Sequence, residues 1–233
     1  MKNDGQLELE FPTWGGKREG AGRKPAGDAA GLPHTALALH SPSQPVHVTM
    51  KVRADYPMLR TARLLPIIER HLAAGRERFG FRLVHYSIQP NHLHIIAEAE
   101  SERSLARGVK GIAVRISRGL NRALGLTGTV FPERHHARSL GSPREVRNAL
   151  RYVLNNDSKH AAESGQRIVP AMDICSSARY FTGWREDKAP APLTDAAPVV
   201  PPRTWLLREG WLLRHGPIGL GEVRQSLARG PRP

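Results

Sequence analysis

Cysteine, acidic side chains and long apolar runs are what this 233-residue sequence has least of. Its single cysteine, Cys175, excludes an internal disulfide and any zinc site built from several cysteines. No apolar run reaches the roughly 20 residues that a membrane-spanning helix needs, and the first residues lack the apolar core of a signal peptide. These absences predict a cytoplasmic protein with no membrane partner.

The shortage of acidic residues leaves a strong positive charge. Lysine and arginine total 35 against 21 aspartates and glutamates, which gives a formal net charge of +14 and a pI near 10.9. Such an excess favours a polyanionic partner, with nucleic acid ahead of an anionic membrane surface. We therefore expect a nucleoid-associated, nucleic-acid-binding protein.

Composition divides the chain into three parts. Residues 1–44 are predicted to be a basic, flexible tail, because the segment WGGKREGAGRKP has no apolar period. Its Arg23 and Lys24 are candidate DNA contacts, either as a hook in a minor groove or as solvated cations that bind phosphates without sequence preference. Residues 188–233 are predicted to be a proline-rich linker and a short helical tail. Residues 45–187 then form the folded domain.

Hydrophobic periodicity predicts an α+β fold for this domain. The order is strand, helix, strand, strand, helix, strand and one extra helix, which is a ferredoxin-like split βαβ plan with an antiparallel sheet and helices on one face. The helix opened by Pro57 contains Pro66, which either kinks it or marks its real start. The predicted strands are 46–53, 81–88, 92–99 and a fourth within 129–140, and the predicted helices run from Pro57 to near Gly80, from Ser101 to about Gly125 and from Ser142 to Leu154.

The sequence Gln89-Pro90-Asn91-His92-Leu93-His94-Ile95-Ile96 places two histidines at alternate positions of a strand that follows a tight turn. Side chains at such positions leave the same face of an extended strand, with alpha carbons roughly 7 Å apart. His92 and His94 can therefore converge on one divalent ion while Leu93 points into the core. The alternative is a polar strand face with structural hydrogen bonds.

Tyr152 lies downstream in a segment that is predicted to be helical. A tyrosine hydroxyl has a pKa near 10, so attack on a phosphodiester needs a nearby cation and a Lewis acid on the phosphate. Asn156 follows one helical turn later and shares the face of Tyr152, although Asn155 competes for that position.

The PNHLH strand motif, the cationic helix behind it and the Tyr-x-x-x-Asn helix resemble the single-tyrosine HUH transposases, over residues 46 to 160. Within that family, the leader WGGKREGAGRKP and the trailer TWLLREGWLLRHG resemble segments of REP-associated tyrosine transposases. The resemblance implies an HUH nuclease fold, Tyr152 as nucleophile, a 5′-phosphotyrosine intermediate, and Mg²⁺ or Mn²⁺ held by His92, His94 and Asn156. It also implies single-stranded, hairpin-bearing DNA as substrate. Gln89 departs from the family, in which methionine is commonest.

Further cations are candidate DNA contacts, with a solvated charged surface as the alternative. One group lies on the helix after the histidine strand and a second group lies near the nucleophile. A single-sign helix surface is costly unless a polyanion offsets its charge. His135 and His136 either approach the phosphate or are polar residues of an edge strand, and Glu98 and Glu100 are predicted to be solvated. The candidate contacts are Arg107, Lys110, Arg115, Arg118, Arg134, His136 and Lys159.

Two other functions compete with a transposase. One is a non-catalytic nucleic-acid-binding module on the same ferredoxin-like sheet, but only 6% of the residues are aromatic and such sheets stack bases on aromatics. The other is a replication initiator-type HUH nickase, which often carries larger accessory domains. A homodimer, and an active site completed by a partner's helix, stay open.

Overall fold

Within residues 40–156 and 171–222, which the computed structural model describes, five strands form one antiparallel sheet. The order across the sheet is β2-β3-β4-β1-β5, so β1 lies between β4 and the edge strand β5. The predicted α+β class and antiparallel sheet are confirmed. The strands are β1 (Val46–Lys51), β2 (Glu77–Arg78), β3 (Phe81–Ile88), β4 (His92–Ala99) and β5 (His136–Ser139).

Helix α1 (Leu65–Gly75) begins later than the sequence pattern predicted. Pro66 stands in its first turn, where a missing N–H costs nothing and the fixed φ angle suits a helix. Of the two readings of Pro66, the start of the helix is therefore the correct one. The chain leaves the helix at Gly75 and adds the unpredicted strand β2, because Phe79 and Gly80 take left-handed φ angles of 56° and 74° and turn it back into β3.

Capping residues set the bounds of the next two helices as predicted. Helix α2 (Glu102–Leu124) begins after Ser101, whose side chain accepts a hydrogen bond from the Ser104 N–H, and it ends at Gly125 with a left-handed φ of 67°. Helix α3 (Pro143–Leu154) begins after Ser142, whose Oγ accepts from the Glu145 N–H at 3.3 Å.

Both faces of the sheet are covered, which corrects the prediction of helices on one face. On the first face α1 and α2 bury Val48, Leu93 and Ile112 in one cluster. On the second face α3 buries Val153 against Ile96 in another. The prediction was wrong because α3 has an apolar stripe of its own that must be buried. With α1 and α2 on the first face, the second face of the sheet is the surface available to that stripe.

The C-terminal segment completes the second face. Trp211 lies in the same cluster as the apolar residues of α3. It belongs to a helical stretch made of a π-helix at Leu206–Gly210 and helix α4 (Trp211–His215). The Val200 N–H also donates to the Leu83 carbonyl at 3.0 Å. The described part of residues 188–233 thus packs on this domain, because Leu207, Trp211 and Val199 supply apolar surface to the two clusters. Ile218 pairs with Trp184 as an isolated bridge.

Glu98 anchors the same segment and is not solvated as predicted. Its carboxylate is 3% exposed and accepts hydrogen bonds from the backbone N–H groups of Arg203 and Thr204, where the helical stretch begins. Arg82 lies beside it, with Nε 3.4 Å from Oε2. A carboxylate at this position satisfies donors that the start of a helix leaves unpaired. Glu100, by contrast, is exposed as predicted.

None of the helices in the two described ranges has both the length and the apolarity to cross a membrane.

Candidate active site

The turn between β3 and β4 places the two histidines as the sequence predicted. The Gln89 N–H donates to the His92 carbonyl at 2.9 Å and closes the turn. His92 and His94 then leave one face of β4, while Leu93 is 1% exposed in the first core. Across the strand pair, Lys51 stands opposite His92 and Thr49 opposite His94.

The Nε2 atoms of the two histidines lie 2.9 Å apart. The outer ring nitrogens face other groups: His92 Nδ1 is 2.7 Å from Asn91 Oδ1, and His94 Nδ1 is 3.0 Å from Thr49 Oγ1. Because an amide oxygen only accepts, the Nδ1–H of His92 donates to Asn91, which leaves its Nε2 lone pair facing His94. Two such lone pairs at this distance repel each other unless a proton or a cation lies between them.

The donor set fits a divalent ion. Adjacent ligands of an octahedral Mg²⁺, each about 2.1 Å from the ion, are roughly 3 Å apart, which matches the separation of the two Nε2 atoms. Hydrogen bonds to the outer nitrogens are also typical of histidines that bind metals. Among the residues that the structure describes, no group of three or more histidine, cysteine, aspartate or glutamate side chains gathers as a metal site. The pair would need other kinds of ligands.

Tyr152 comes to the same place from α3. Leu150 and Val153 hold the helix in the second core, so that the intervening Tyr152 is half-buried on the side of the histidines. Its ring centroid is 5.0 Å from that of His94, with the planes at 76°. The sequence prediction that β4 and α3 bring these side chains together is therefore met within a single chain.

One further histidine, His47 of β1, belongs to this site and was missed. Its Nε2 is 3.2 Å from His94 Nδ1, and its ring centroid lies 5.9 Å from that of Tyr152. Burial, with a smaller effect from the charge of Arg138, lowers the pKa of His47 to about 4, so the ring is uncharged at neutral pH. The sequence did carry a signal, since His47, Thr49 and Lys51 form the polar half of the β1 alternation.

These side chains surround one open cavity. The exposed side chains of Lys51 and His136 are among those that line it. Of these two, the sequence analysis had named only His136 as a candidate DNA contact. His136 stands opposite Thr49 in the register of β5 with β1. His135 is not among the residues that line the described cavity. The lining residues are Thr49, Lys51, Asn91, His92, His94, His136 and Tyr152.

Asn155 and Asn156, the two candidates for the position one turn after Tyr152, differ in their contacts. Asn155 turns to the C-terminal segment, where its Nδ2 donates to the Gly219 carbonyl at 2.9 Å. Asn156 is fully buried, and neither of its polar side-chain atoms has a hydrogen-bond partner among the described residues. A buried amide without a hydrogen-bond partner is costly, so the Asn156 oxygen is a candidate for binding another group. It is not part of the described cavity lining.

The cations predicted to bind DNA lie in several places. Those of α2 lie across the sheet from the histidines, because α2 packs on the first face and the cavity opens on the second. Arg107, Lys110 and Arg118 are exposed there and Arg115 is half-buried; Arg107 stacks over Phe79 with its guanidinium carbon 4.2 Å from the ring centroid. Arg134 is exposed just before β5. Arg23, Lys24 and Lys159 lie outside the described residues.

Comparisons with known proteins show what this chain is similar to. The family model described as "Transposase IS200 like" matches residues 41–156, which include all five strands and helices α1 to α3. No curated protein matches the chain. A solved structure described as "Structure of the REP associates tyrosine transposase bound to a REP hairpin" has 15% sequence identity and a TM-score of 0.44, over 55% of this chain and 74% of that chain.

Proposed function

Because this chain belongs to the family of IS200-like transposases, which act on DNA, we propose that it cleaves and rejoins single-stranded DNA through a covalent bond to Tyr152. The observation that carries the proposal is the meeting of His92, His94 and Tyr152 around one cavity. A phenol beside two imidazoles whose Nε2 atoms converge suits phosphoryl transfer. A purely structural role for these side chains would not require them to line an open cavity.

The phenol oxygen of Tyr152 attacks the phosphorus of the scissile phosphodiester. A bond forms between that oxygen and phosphorus, and the bond from phosphorus to the 3′-oxygen breaks. The phenol gives up its proton, the departing oxygen takes one up, and a 5′-phosphotyrosine and a 3′-hydroxyl remain. The reverse steps rejoin a strand, so strand exchange needs no external energy source.

His92 and His94 would hold Mg²⁺ or Mn²⁺, with Asn156 as the proposed third protein ligand, and the ion would neutralise charge on the phosphate. Asn91 and Thr49 orient the two rings. Lys51 and His136 face the same cavity and would bind the phosphates on either side of the scissile one.

The substrate class rests on sequence resemblance. The leader and trailer segments resemble those of REP-associated tyrosine transposases, so we propose short imperfect hairpins in single-stranded DNA as the sites that are cut. The cations of α2, together with Arg23, Lys24, Arg134 and Lys159, are proposed contacts to the phosphates of such hairpins.

The test is a covalent adduct assay with a labelled hairpin oligonucleotide and Mn²⁺. We expect the wild-type chain to give an adduct that survives denaturing electrophoresis, and Tyr152→Phe to give none while still binding the oligonucleotide. Tyr180→Phe is the matched control, because Tyr180 is a half-buried tyrosine that is absent from the described cavity lining. An undiminished adduct with Tyr152→Phe would overturn the proposal, as would a wild-type chain that forms none.

A further inference from the structure

His47 contacts both His94, a proposed metal ligand, and Tyr152, the proposed nucleophile. Strand β1 lies next to β4, and alternation along β1 points His47 and Thr49 to the cavity face while Val46 and Val48 enter the first core. The Nε2 of His47 is 3.2 Å from the Nδ1 of His94, and their ring centroids are 5.2 Å apart. Its ring also meets that of Tyr152 edge to face, at 67°.

The chemistry of His94 depends on which nitrogen carries its proton. Its Nε2 faces His92, and this nitrogen offers a lone pair to a cation only when the ring proton is on Nδ1. A proton on Nδ1 needs an acceptor. Thr49 Oγ1 can accept it at 3.0 Å, but a hydroxyl also donates, and a Thr49 that donated would force the proton of His94 onto Nε2. Thr49 alone therefore permits both tautomers of His94, whereas a neutral His47 whose own ring proton is on Nδ1 can only accept at Nε2.

We propose that His47 is a positioning residue: its Nε2 accepts the Nδ1–H of His94, which keeps the Nε2 lone pair of His94 directed to the shared ion, while the His47 ring holds the phenol of Tyr152 alongside. The inference rests on the proposed function, since it concerns the same ion and nucleophile. His47 touches neither the ion nor the phosphate and acts only through its two neighbours. One side chain of β1 thus sets the spacing between a strand of the sheet and a helix packed on it.

Two substitutions separate this role from simple packing. His47→Phe keeps a flat ring and removes the acceptor, whereas His47→Gln places an amide oxygen near the position of Nε2 and restores an acceptor. We expect His47→Phe to weaken Mn²⁺ binding roughly 10- to 100-fold and His47→Gln to recover most of the loss. Binding is measured on the full chain without DNA, by the electron paramagnetic resonance signal of free Mn²⁺. His215→Phe, an exposed histidine of α4, is the control.

Nuclear magnetic resonance of the histidine nitrogens gives a second, independent readout. With Mg²⁺ present, the His94 ring should show a protonated Nδ1 in the wild-type chain and in His47→Gln, and a mixture of tautomers in His47→Phe. Wild-type Mn²⁺ affinity together with an unchanged tautomer in His47→Phe overturns the inference while leaving the role of Tyr152 intact. A wild-type chain that binds no Mn²⁺ overturns the inference together with the proposed metal site.

Discussion

At the scale of single residues, burial decides the charge of the histidines. His85 lies under the second face of the sheet, 6% exposed, with Nδ1 3.1 Å from the Oγ of Ser177. Burial lowers the pKa of His85 to about 3, because the low-dielectric interior disfavours its charged form. The ring therefore stays uncharged in the folded chain over most of the acidic range.

This gives a pH dependence of stability. An unfolded histidine takes up a proton below pH 6.5 and the folded one only near pH 3, so the free energy of unfolding falls as the pH drops through that window. The slope from one such histidine is about 1.4 kcal/mol per pH unit. We expect His85→Asn to reduce the slope by about this amount, as measured by urea unfolding at several pH values. His215→Asn, which changes no buried group, should leave it as it is; an unaltered slope in His85→Asn would contradict the prediction.

The residues of the site differ in how visible they were in the sequence. His92, His94 and Tyr152 stood out because each combines a reactive side chain with a turn, a strand period or a helix that fixes its direction. His47 did not, because one histidine in an alternating strand looks like any polar surface residue. The alternation of polar residues along β1 shows that His47 shares a face with Thr49 and Lys51, but its contact with His94 spans 47 positions and depends on the register of β1 against β4, which the alternation does not reveal.

At the scale of elements, α3 is held by its packing and also by a network of ion pairs. Glu222 accepts from Arg147 at 2.8 Å and lies 3.5 Å from Arg151, and both arginines are on α3. Burial opposes ionisation of Glu222, but its hydrogen bonds with Arg147 and the Gly219 N–H outweigh that effect and lower its pKa. Asn155 adds hydrogen bonds from the end of the helix to the same loop.

Removal of this carboxylate should therefore loosen the helix that carries Tyr152. We expect Glu222→Ala to cost about 1–3 kcal/mol of unfolding free energy, because it leaves half-buried arginines without their charged partner. Amide hydrogen exchange should quicken in α3 more than in α2. Glu209→Ala is the matched control, since Glu209 pairs with Arg208 at the surface and such pairs contribute within about 1 kcal/mol. Equal losses from both variants would count against the network.

Helix bounds were predictable wherever a local signal ended the element. Ser101, Gly125 and Ser142 all cap helices as expected, because capping is a matter of a few neighbouring residues. The short strand β2 was not predictable, because a two-residue strand forms only against an existing partner strand. The same reason explains why the first helix was extended too far: Arg76, Glu77 and Arg78 suit a helix as well as an edge strand.

At the scale of the whole molecule, the family match and the folded unit end in different places. The match stops at residue 156, but Trp184, Leu207 and Trp211 complete the second core of the structure. Sequence reasoning kept Trp184 in the domain but separated residues 188–233 as a linker and tail because of their prolines. The second face of the sheet, on which Leu207 and Trp211 pack, exists only once the sheet has formed.

Truncation tests how far the second core depends on the segment after residue 156. A chain that ends at residue 156 would expose side chains such as Ile96, Leu150 and Val153, and each loses about 1.5–3 kcal/mol of burial. We expect it to aggregate or to bind 8-anilinonaphthalene-1-sulfonate strongly, as judged by soluble yield and dye fluorescence. A chain that ends at Glu222 keeps every contact described and should resemble the full length. A soluble, dye-negative 1–156 chain would show that the added segment is dispensable.

Strand β1 has one more consequence, for how the gene can vary. Its even and odd positions have different roles: Val48 and Met50 lie inside the first core, whereas Thr49 lines the cavity and His47 contacts His94. Deletion of one codon would exchange the two sets of side chains, so that imidazole and hydroxyl groups entered the hydrophobic core and valines faced the substrate. Point substitutions can tune this strand, but insertions and deletions within it should be purged, because folding and catalysis would fail together.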